Sequence, residues 1–489
     1  MKQYRPEAKG AVQDALATSI GQASCFLASL IFSIFVPRLL GASVYGEWML
    51  FRGMVMFWLT LSMLGDREVI SSFYLPRREA GDHEGAGRVF KSLAVFRLML
   101  VWPAMAGVLF MLFSSSSMFR TWEAAFCIAG SVVCKCVQTV FSSILFGHRR
   151  LGMLAIIDTL QAVLLPVGVM AAFDRASSAM IPLAALLVDL AIVSFVLAVS
   201  GIRREWPRGW LNRSDFLIML RYALAVSLAT SVILALNNAL LYLMSLRGFS
   251  ADVLGRVGLA TRCAWVGQAA LAAVASALMP VLVTVQMRHG AERMISWQNF
   301  LSRLGLTLLL LAAGNVLLMG THVVGLIWGG DFRGVTPLLA VGLLAVAALW
   351  VGSQWIRQFL MQRRTRVYMG SAVVYSIVLI ATFYAVPRDE QGWAPMLALL
   401  AAGTLMSVFA GFHAARNGAS WTWLFRFIPA MAWLSVAWWW GRDATPGLDW
   451  ALRVAGWNIG VVALILLARA VGISEVFDLV RLFRQRAGR

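Results

Sequence analysis

The sequence predicts an all-α integral membrane protein with about fourteen transmembrane helices, each long enough to cross a hydrocarbon core of about 30 Å. Of its 489 residues, 60% are hydrophobic and 13% are charged, whereas soluble domains contain about 45–50% apolar and about 25% charged residues. The mean hydropathy is +0.77. Apolar runs of the required length, about 20 residues, follow one another along the whole chain.

These apolar runs give the order and the bounds of the predicted spans. They fall at 13–36, 46–65, 92–113, 122–146, 151–173, 178–201, 216–245, 258–286, 301–320, 335–357, 367–386, 393–415, 422–440 and 449–470. LLGASVYG follows the first span and LRGFSADVLG follows the seventh, about 207 residues later, a weak repeat of the kind found in transporters built from two halves. We therefore predict a six-helix bundle over 1–201, a second six-helix bundle over 202–415, and two additional helices with a cytoplasmic tail over 416–489.

Charges in the loops predict the orientation. A net charge of +19 would suggest nucleic acid as the partner of a soluble protein, but most arginines here lie in short loops, where they act as orientation signals. With the N-terminus inside, the inner loops and termini hold about 26 cations and the outer loops about eight. The sequence thus predicts a multi-pass protein of the bacterial inner membrane, with both termini in the cytoplasm and no nucleic-acid partner.

No motif in the sequence predicts catalysis, a cofactor or a metal site. The five cysteines all lie in apolar runs, where free cysteine behaves as a small hydrophobic residue. The sequence contains no GxxxxGKS/T, HExxH or paired CxxC motif, so it predicts neither a P-loop ATPase nor a zinc site. The outer loops are also shorter than those of membrane glycosyltransferases. We therefore expect no enzyme, no catalytic residue, no cofactor and no metal.

Polar residues recur at steps of three and four along three of the spans, which places them on one face of each helix. They are Asp14, Thr18, Gln22, Cys25, Ser29 and Ser33 in the first span, Glu123, Cys127, Ser131, Lys135, Gln138 and Ser142 in the fourth, and Ser227, Ser231, Asn238, Tyr242 and Ser245 in the seventh. Because polar groups in a span usually face a bundle interior or a watery cavity, we predict a shared hydrophilic interior. Helix–helix packing through small hydroxylated residues explains the serines equally well.

Ionisable residues inside the spans are the strongest candidates for a functional site. A charge at the middle of a span costs about 2.5–3.5 kcal/mol on insertion scales. The candidate cations that would line the cavity are Arg52, Arg97, Lys135 and Arg262. The candidate carboxylates, for a coupling ion or for ion pairs, are Asp14, Asp158 and Asp189. A series of cations would suit an anionic headgroup, because guanidinium groups bind phosphate oxygens in a bidentate manner.

Two other interpretations of these charges stay open. The first is structural: Lys135 forms an internal salt bridge, for example with Asp189, while Arg52 and Arg97 extend to the nearest interface. The second is that Asp158 and Asp189 take up a coupling proton, because apolar surroundings favour the neutral form of a carboxyl group.

Three sequence segments resemble polysaccharide flippases of the Wzx type. They are PRLLGASVYGEW at 37–48, GDREVISSFY at 65–74 and WGGDFRGVTPLLAVGLLA at 328–345. These flippases belong to the superfamily that also contains the multidrug (MATE) exporters and the lipid II flippase. The resemblance implies a MATE-like pair of six-helix bundles around a central cavity. It also implies a cargo, undecaprenyl-pyrophosphate-linked oligosaccharide, which alternating access moves from the cytoplasmic to the periplasmic leaflet for cell-surface polysaccharides such as lipopolysaccharide O-antigen.

The resemblance also implies roles for individual residues and partners. In the lipid II flippase family, arginines on helices 1, 2 and 8 bind the pyrophosphate, and Arg52 and Arg262 occupy comparable places on the second and eighth spans. The first span departs from that pattern, since it offers Asp14 and no inner arginine. The implied partners are the lipid-linked oligosaccharide and membrane lipids, with a polysaccharide polymerase and a chain-length regulator as further candidates.

Other function classes compete with this interpretation. A multidrug exporter on the same fold would carry acidic interior charges, whereas arginine and lysine predominate here. A membrane polysaccharide polymerase or ligase would be an enzyme, and the short outer loops disfavour it. The sequence also allows a noncatalytic member of a polysaccharide assembly complex.

Overall fold

The computed structural model is all-helical in the part of the chain that it describes. This part comprises residues 5–63, 69–115, 117, 119–148, 150–173, 180–200, 209–361, 365–416, 422–441 and 447–468. The description does not include the side chains of 5–23, 71, 79, 151, 173, 225–227, 229–230, 272–294, 357–358, 360–361 and 365. Ten helices in the described residues are long and apolar enough to cross a membrane. The predicted fold class is confirmed, and the chain is a multi-pass membrane protein.

The helices group by their contacts into two compact units, Met1–Gly258 and Leu259–Arg489. The first unit contains α1 (Arg5–Ser62), a π-helix (Ile70–Tyr74), α2 (Leu75–Glu79), α3 (His83–Ser114), α4 (Trp122–Gly147), α5 (Leu151–Phe173), α6 (Met180–Ser200) and α7 (Arg213–Leu246). Helix α8 (Ala251–Trp328) begins in the first unit and continues into the second. The second unit then holds a 3-10 helix (Gly330–Val335), α9 (Thr336–Met361), α10 (Thr365–Ala385), α11 (Trp393–Ala415), a 3-10 helix (Thr422–Phe427), α12 (Ile428–Gly441) and α13 (Leu448–Leu467).

The predicted spans correspond to these helices, with two mergers. Helix α1 covers both 13–36 and 46–65 and is broken at Gly41, whose φ of 70° and ψ of 169° suit a residue without a Cβ. Helix α8 covers 258–286 and 301–320 in one run of 78 residues. Our prediction of a loop between these two spans was wrong, because residues 287–300 (MRHGAERMISWQNF) contain helix-favouring Met, Ala, Glu, Arg and Gln and no proline.

Three glycines bring helices of the first unit to backbone distance. A Cβ on Gly46 would overlap the Ala251 carbonyl oxygen, and a Cβ on Gly255 would overlap the Ala42 carbonyl oxygen. A Cβ on Gly53 would lie 2.5 Å from the Asn238 carbonyl oxygen. Small residues permit such close approach of membrane helices. Helix α7, which the sequence analysis assigned to the second bundle, therefore packs on α1 of the first unit, while the bundle boundaries at 201 and 415 stay a prediction.

In the second unit, α13 is held on α8 by side-chain amides and indoles. The side chains of Asn315 and Asn458 exchange two hydrogen bonds, of 3.0 and 2.9 Å. The Trp450 indole N–H donates to the Leu318 carbonyl oxygen at 2.7 Å. Because a polar group in lipid must find a protein partner, these contacts fix the register between the two helices.

Candidate functional site

Two candidate residues of the first unit, Lys135 and Asp189, form a buried ion pair. Lys135 lies on α4 and Asp189 on α6, and the Lys135 Nζ is 2.6 Å from the Asp189 Oδ1. The two side chains are 12% and 2% exposed. The structure therefore favours the internal salt bridge among the interpretations that the sequence left open. The Asp189 carboxylate balances the Lys135 ammonium charge and joins α4 to α6, while a cargo-binding role for Lys135 stays a prediction.

A second polar pair lies one helical turn further along α4. The Gln138 Nε2 donates to the Gln161 Oε1 at 2.8 Å, which joins α4 to α5. On the other side of α5, the Thr159 hydroxyl lies 3.8 Å from the Cys25 Sγ of α1. Together with the Lys135–Asp189 pair, these contacts form a polar layer through α1, α5, α4 and α6. Asp158, which adjoins this layer on α5, is exposed.

Arg97 of α3 stabilises the end of α1. Its side chain is buried, with the whole residue 3% exposed, and its Nη2 donates to the Met63 carbonyl oxygen at 3.0 Å. Met63 directly follows the last residue of α1. The C-terminal end of a helix carries partial negative charge and orphan carbonyl groups, so a guanidinium group there is favourable. This position gives the charge inside the span a structural role, and the lining of a cavity by Arg97 stays a prediction.

The remaining charged candidates lie in different places. Arg52 lies on α1, eleven residues after the break at Gly41, which is about 16 Å along the helix. Arg52 is partly exposed, and its guanidinium carbon is 5.8 Å from the Phe32 ring centroid. Arg262 belongs to the second unit, lies eleven residues after the start of α8, and is partly exposed as well. The side chain of Asp14 lies outside the described residues.

The sequence analysis missed a buried carboxylate at the start of the second span. Glu47 is buried, and the Ser117 hydroxyl donates to its Oε2 at 2.6 Å. Ser117 also accepts from the Phe119 amide at 3.1 Å, so the pair orders the turn between α3 and α4. The available signal was a glutamate within an apolar span, in the segment GASVYGEW. The sequence analysis also missed Gln161, because its hydrogen-bond partner Gln138 lies on another helix.

Groups of histidine, cysteine, aspartate or glutamate that could hold a metal ion are absent from the described residues. The five cysteines are present as free thiols.

Comparisons with solved structures identify the fold. No family model matches the chain, and no curated protein matches it by sequence. Among solved structures, the lipid II flippase MurJ in an inward closed conformation is similar with a TM-score of 0.65 and 12% identity. This similarity covers 96% of the present chain and 100% of that chain.

The fold is that of MurJ and the MATE transporters. A multidrug resistance MATE family transporter of the MOP superfamily, in an inward-facing conformation, is similar with a TM-score of 0.59 and 17% identity, over 83% of this chain and 99% of that one. A MOP superfamily transporter from Pyrococcus furiosus, described as having a binding pocket of reverse polarity, gives a TM-score of 0.55 and 15% identity over 84% and 97%. At these identities, the likeness establishes the fold.

Proposed function

We propose that the chain is a flippase for an undecaprenyl-pyrophosphate-linked oligosaccharide, which it moves from the cytoplasmic to the periplasmic leaflet by alternating access. The observation that supports this most is the extent of the structural match. MurJ, a lipid II flippase, matches 96% of the chain with the highest TM-score of these structures, whereas the MATE transporters match 83–84%. The chain thus has the length of the lipid flippase fold, which favours a lipid-linked cargo over a drug.

The physical requirement is to take a charged, hydrated headgroup across about 30 Å of hydrocarbon. An unpaired phosphate charge in an apolar medium is extremely costly, so the path must supply cations and water. We assign the phosphate contacts to Arg52 and Arg262, because guanidinium groups bind phosphate oxygens in a bidentate manner. Lys135 and Arg97 then have supporting roles, since each is engaged by a carboxylate or a helix end.

Asp158 is our candidate for a coupling proton. Among the three predicted carboxylates, Asp189 is held by Lys135 at 2.6 Å, and a proton on Asp189 would leave the buried ammonium without its counter-charge. Asp158 is exposed on a membrane-spanning helix, where a carboxylate can exchange protons with water in a cavity.

In this proposal the protein moves its cargo without making or breaking a covalent bond. It lies in the inner membrane with both termini in the cytoplasm. The biological role is then cell-surface polysaccharide biosynthesis, with a polysaccharide polymerase and a chain-length regulator as functional partners. A multidrug exporter is the closest competing function, because MATE transporters share the fold. The arginines separate the two functions: a flippase would depend on Arg52 and Arg262, whereas a drug exporter would not, and both could depend on Asp158 for coupling.

Replacing either arginine should therefore stop export of the polysaccharide. Arg52→Gln and Arg262→Gln each remove a charge-assisted hydrogen bond worth about 1.5–3 kcal/mol, which corresponds to about a 10–100-fold loss of headgroup affinity. We expect surface polysaccharide to fall by at least about tenfold in a strain that carries either variant as its only copy, with unchanged protein level in the membrane. The lipid-linked precursor should accumulate in the cytoplasmic leaflet.

The matched control is Arg38→Gln, which removes an exposed arginine elsewhere on α1. It should leave export at the level of the unmodified protein. Normal export by both Arg52→Gln and Arg262→Gln would remove the phosphate-binding role, and a loss in all three variants alike would point to charge or orientation in general.

A further inference from the structure

One side of α8 packs on α9 within the second unit. A Cβ on Gly342 would lie 3.2 Å from the Ala264 Cβ, and a Cβ on Gly267 would lie 3.5 Å from the Leu343 Cδ2. Ala264 is accordingly only 2% exposed. Successive residues of an α-helix are about 100° apart around its axis, so a residue two positions before Ala264 lies on the far side. Arg262, which we assign to the phosphate, therefore lies on the side of α8 that points away from α9.

Arg262 belongs to a strip of residues that recur along α8 at steps of three and four, which places them on one side of the helix. The strip consists of Arg262, Trp265 and Ala269, with Gln268 at its edge. Ala269 is exposed, and the other three are partly exposed. The same side of α8 is buried one turn earlier, at Gly258. The packing of this side therefore ends where the strip begins.

The strip differs from the surfaces of this protein that face lipid. Helix α6 presents long apolar side chains that are 36–58% exposed, namely Leu183, Leu187, Leu190 and Leu197. The strip on α8 instead presents a guanidinium, an indole and an amide, and a charge against lipid is costly. Trp265 lies fourteen residues after the start of α8, about 21 Å along the helix, and so away from the interface where tryptophans of membrane proteins collect. These features indicate a surface for a polar ligand.

The side chains of the strip offer three different kinds of contact. Arg262 offers charge and paired N–H donors, and Trp265 offers a large apolar face with one N–H donor. The Gln268 Oε1 is shielded from solvent and has no hydrogen-bond partner among the described residues, and a shielded acceptor is costly until a donor reaches it. Trp265 and Gln268 follow Arg262 by about 4.5 and 9 Å along the helix axis. The matching ligand carries an anionic group, and next to it a ring with an apolar face and hydroxyl groups.

We propose that Trp265 and Gln268 bind the first sugar of the cargo, the pyranose bonded directly to the pyrophosphate. This assignment rests on the proposed function, because it takes Arg262 as the residue that holds the pyrophosphate. The C–H face of the sugar ring packs on the Trp265 indole, and a sugar hydroxyl donates to the Gln268 Oε1. The polyprenyl chain on the other side of the pyrophosphate has no hydroxyl group, so it would leave the Gln268 oxygen unsatisfied. The two residues thus determine specificity for the sugar end of the lipid.

The affinities of the purified full-length protein for lipids with and without a sugar test this site. The probes are undecaprenyl pyrophosphate alone and the same lipid carrying glucose or N-acetylglucosamine. We expect at least one sugar to increase the affinity by about tenfold or more. Trp265→Leu combined with Gln268→Met should reduce that preference to within about twofold and leave the affinity for the sugar-free lipid unchanged.

The matched control is Trp102→Leu, which removes a tryptophan of α3 that is 70% exposed and should leave the preference unchanged. Gln268→Met alone should lower the preference roughly fivefold, and it serves as the test if the double variant does not fold. Three results would overturn the site: no preference for either sugar in the unmodified protein, a preference that survives these substitutions, or equal weakening of the lipids with and without sugar.

Transport by the same proteins separates this site from the proposed function. If the unmodified protein prefers the sugar-bearing lipid but does not move it between leaflets, the proposed function fails and the sugar site stands. If the protein moves the sugar-bearing lipid and the substitutions leave the preference intact, the sugar site fails and the proposed function stands.

Discussion

Asp189→Ala should lower the free energy of unfolding by about 3–5 kcal/mol, because it leaves the Lys135 ammonium group in a buried site without its carboxylate. The Lys135 side chain is only 12% exposed, and the Lys135 Nζ lies 2.6 Å from the Asp189 Oδ1. Lys135→Ala should have a similar cost, since the lone carboxylate is then buried. Thermal unfolding of the purified protein in detergent, together with its level in the membrane, measures the effect.

The double substitution Lys135→Met with Asp189→Leu is the matched control. Replacing both members of a buried ion pair by apolar residues of similar size is often neutral or stabilising, so stability should return close to that of the unmodified protein. The same variant separates the two roles of Lys135. If the pair is structural, polysaccharide export also returns, whereas a stable double variant without export would restore Lys135 as a residue that binds the cargo. Single variants of normal stability would show that the pair is absent in the membrane.

Gly255→Ala should disrupt the crossing of α1 and α8 and cost about 3 kcal/mol, at the upper end of the usual range for overpacking. A Cβ at this position would overlap the Ala42 carbonyl oxygen, and a backbone atom cannot move aside by changing its rotamer. We therefore expect a lower unfolding temperature and loss of export. Loss of export is expected because the displaced helix α1 carries Arg52.

Gly258→Ala, three residues further along the same helix, is the control for this prediction. Its Cβ would lie 3.0 Å from the Met49 Cβ and 3.1 Å from the Met49 Cγ, which a shift of the two helices by a few tenths of an ångström relieves. We expect a cost below about 1 kcal/mol and normal export. Equal effects of the two substitutions would contradict the direct backbone contact between Gly255 and Ala42.

The fold was predictable from the sequence because the membrane leaves few alternatives. A run of about 20 apolar residues must be helical, since the backbone hydrogen bonds of a span have to be made internally. The described helices therefore follow the predicted spans closely, as in α11 (Trp393–Ala415). The connection between the spans at 258–286 and 301–320 was not predictable in this way, because helix-favouring polar residues beyond the hydrocarbon core can form a loop or extend a helix.

The partners of the interior charges were much less predictable. Spacing along a helix identifies its polar face, but the partner of a polar group lies on another helix at a sequence distance that no motif records. Gln138 and Gln161, 23 residues apart, were not paired from the sequence, and the salt bridge of Lys135 with Asp189, 54 residues apart, was only one of the alternatives that the sequence left open. Arg97 illustrates a second reason. It donates to the backbone carbonyl of Met63 at a helix end, and a search for complementary side chains in the sequence does not find a backbone partner.

Flipping by the purified protein in proteoliposomes tests the central claim most directly. A fluorescent undecaprenyl-pyrophosphate oligosaccharide would be placed in one leaflet, and its appearance in the other followed with a membrane-impermeant lectin. We predict transfer at least about tenfold faster than in protein-free vesicles, reduced to the protein-free rate by combining Arg52→Gln with Arg262→Gln, and no acceleration for a neutral analogue without the pyrophosphate. Transfer at the protein-free rate, or equal transfer of the neutral analogue, would contradict the claim.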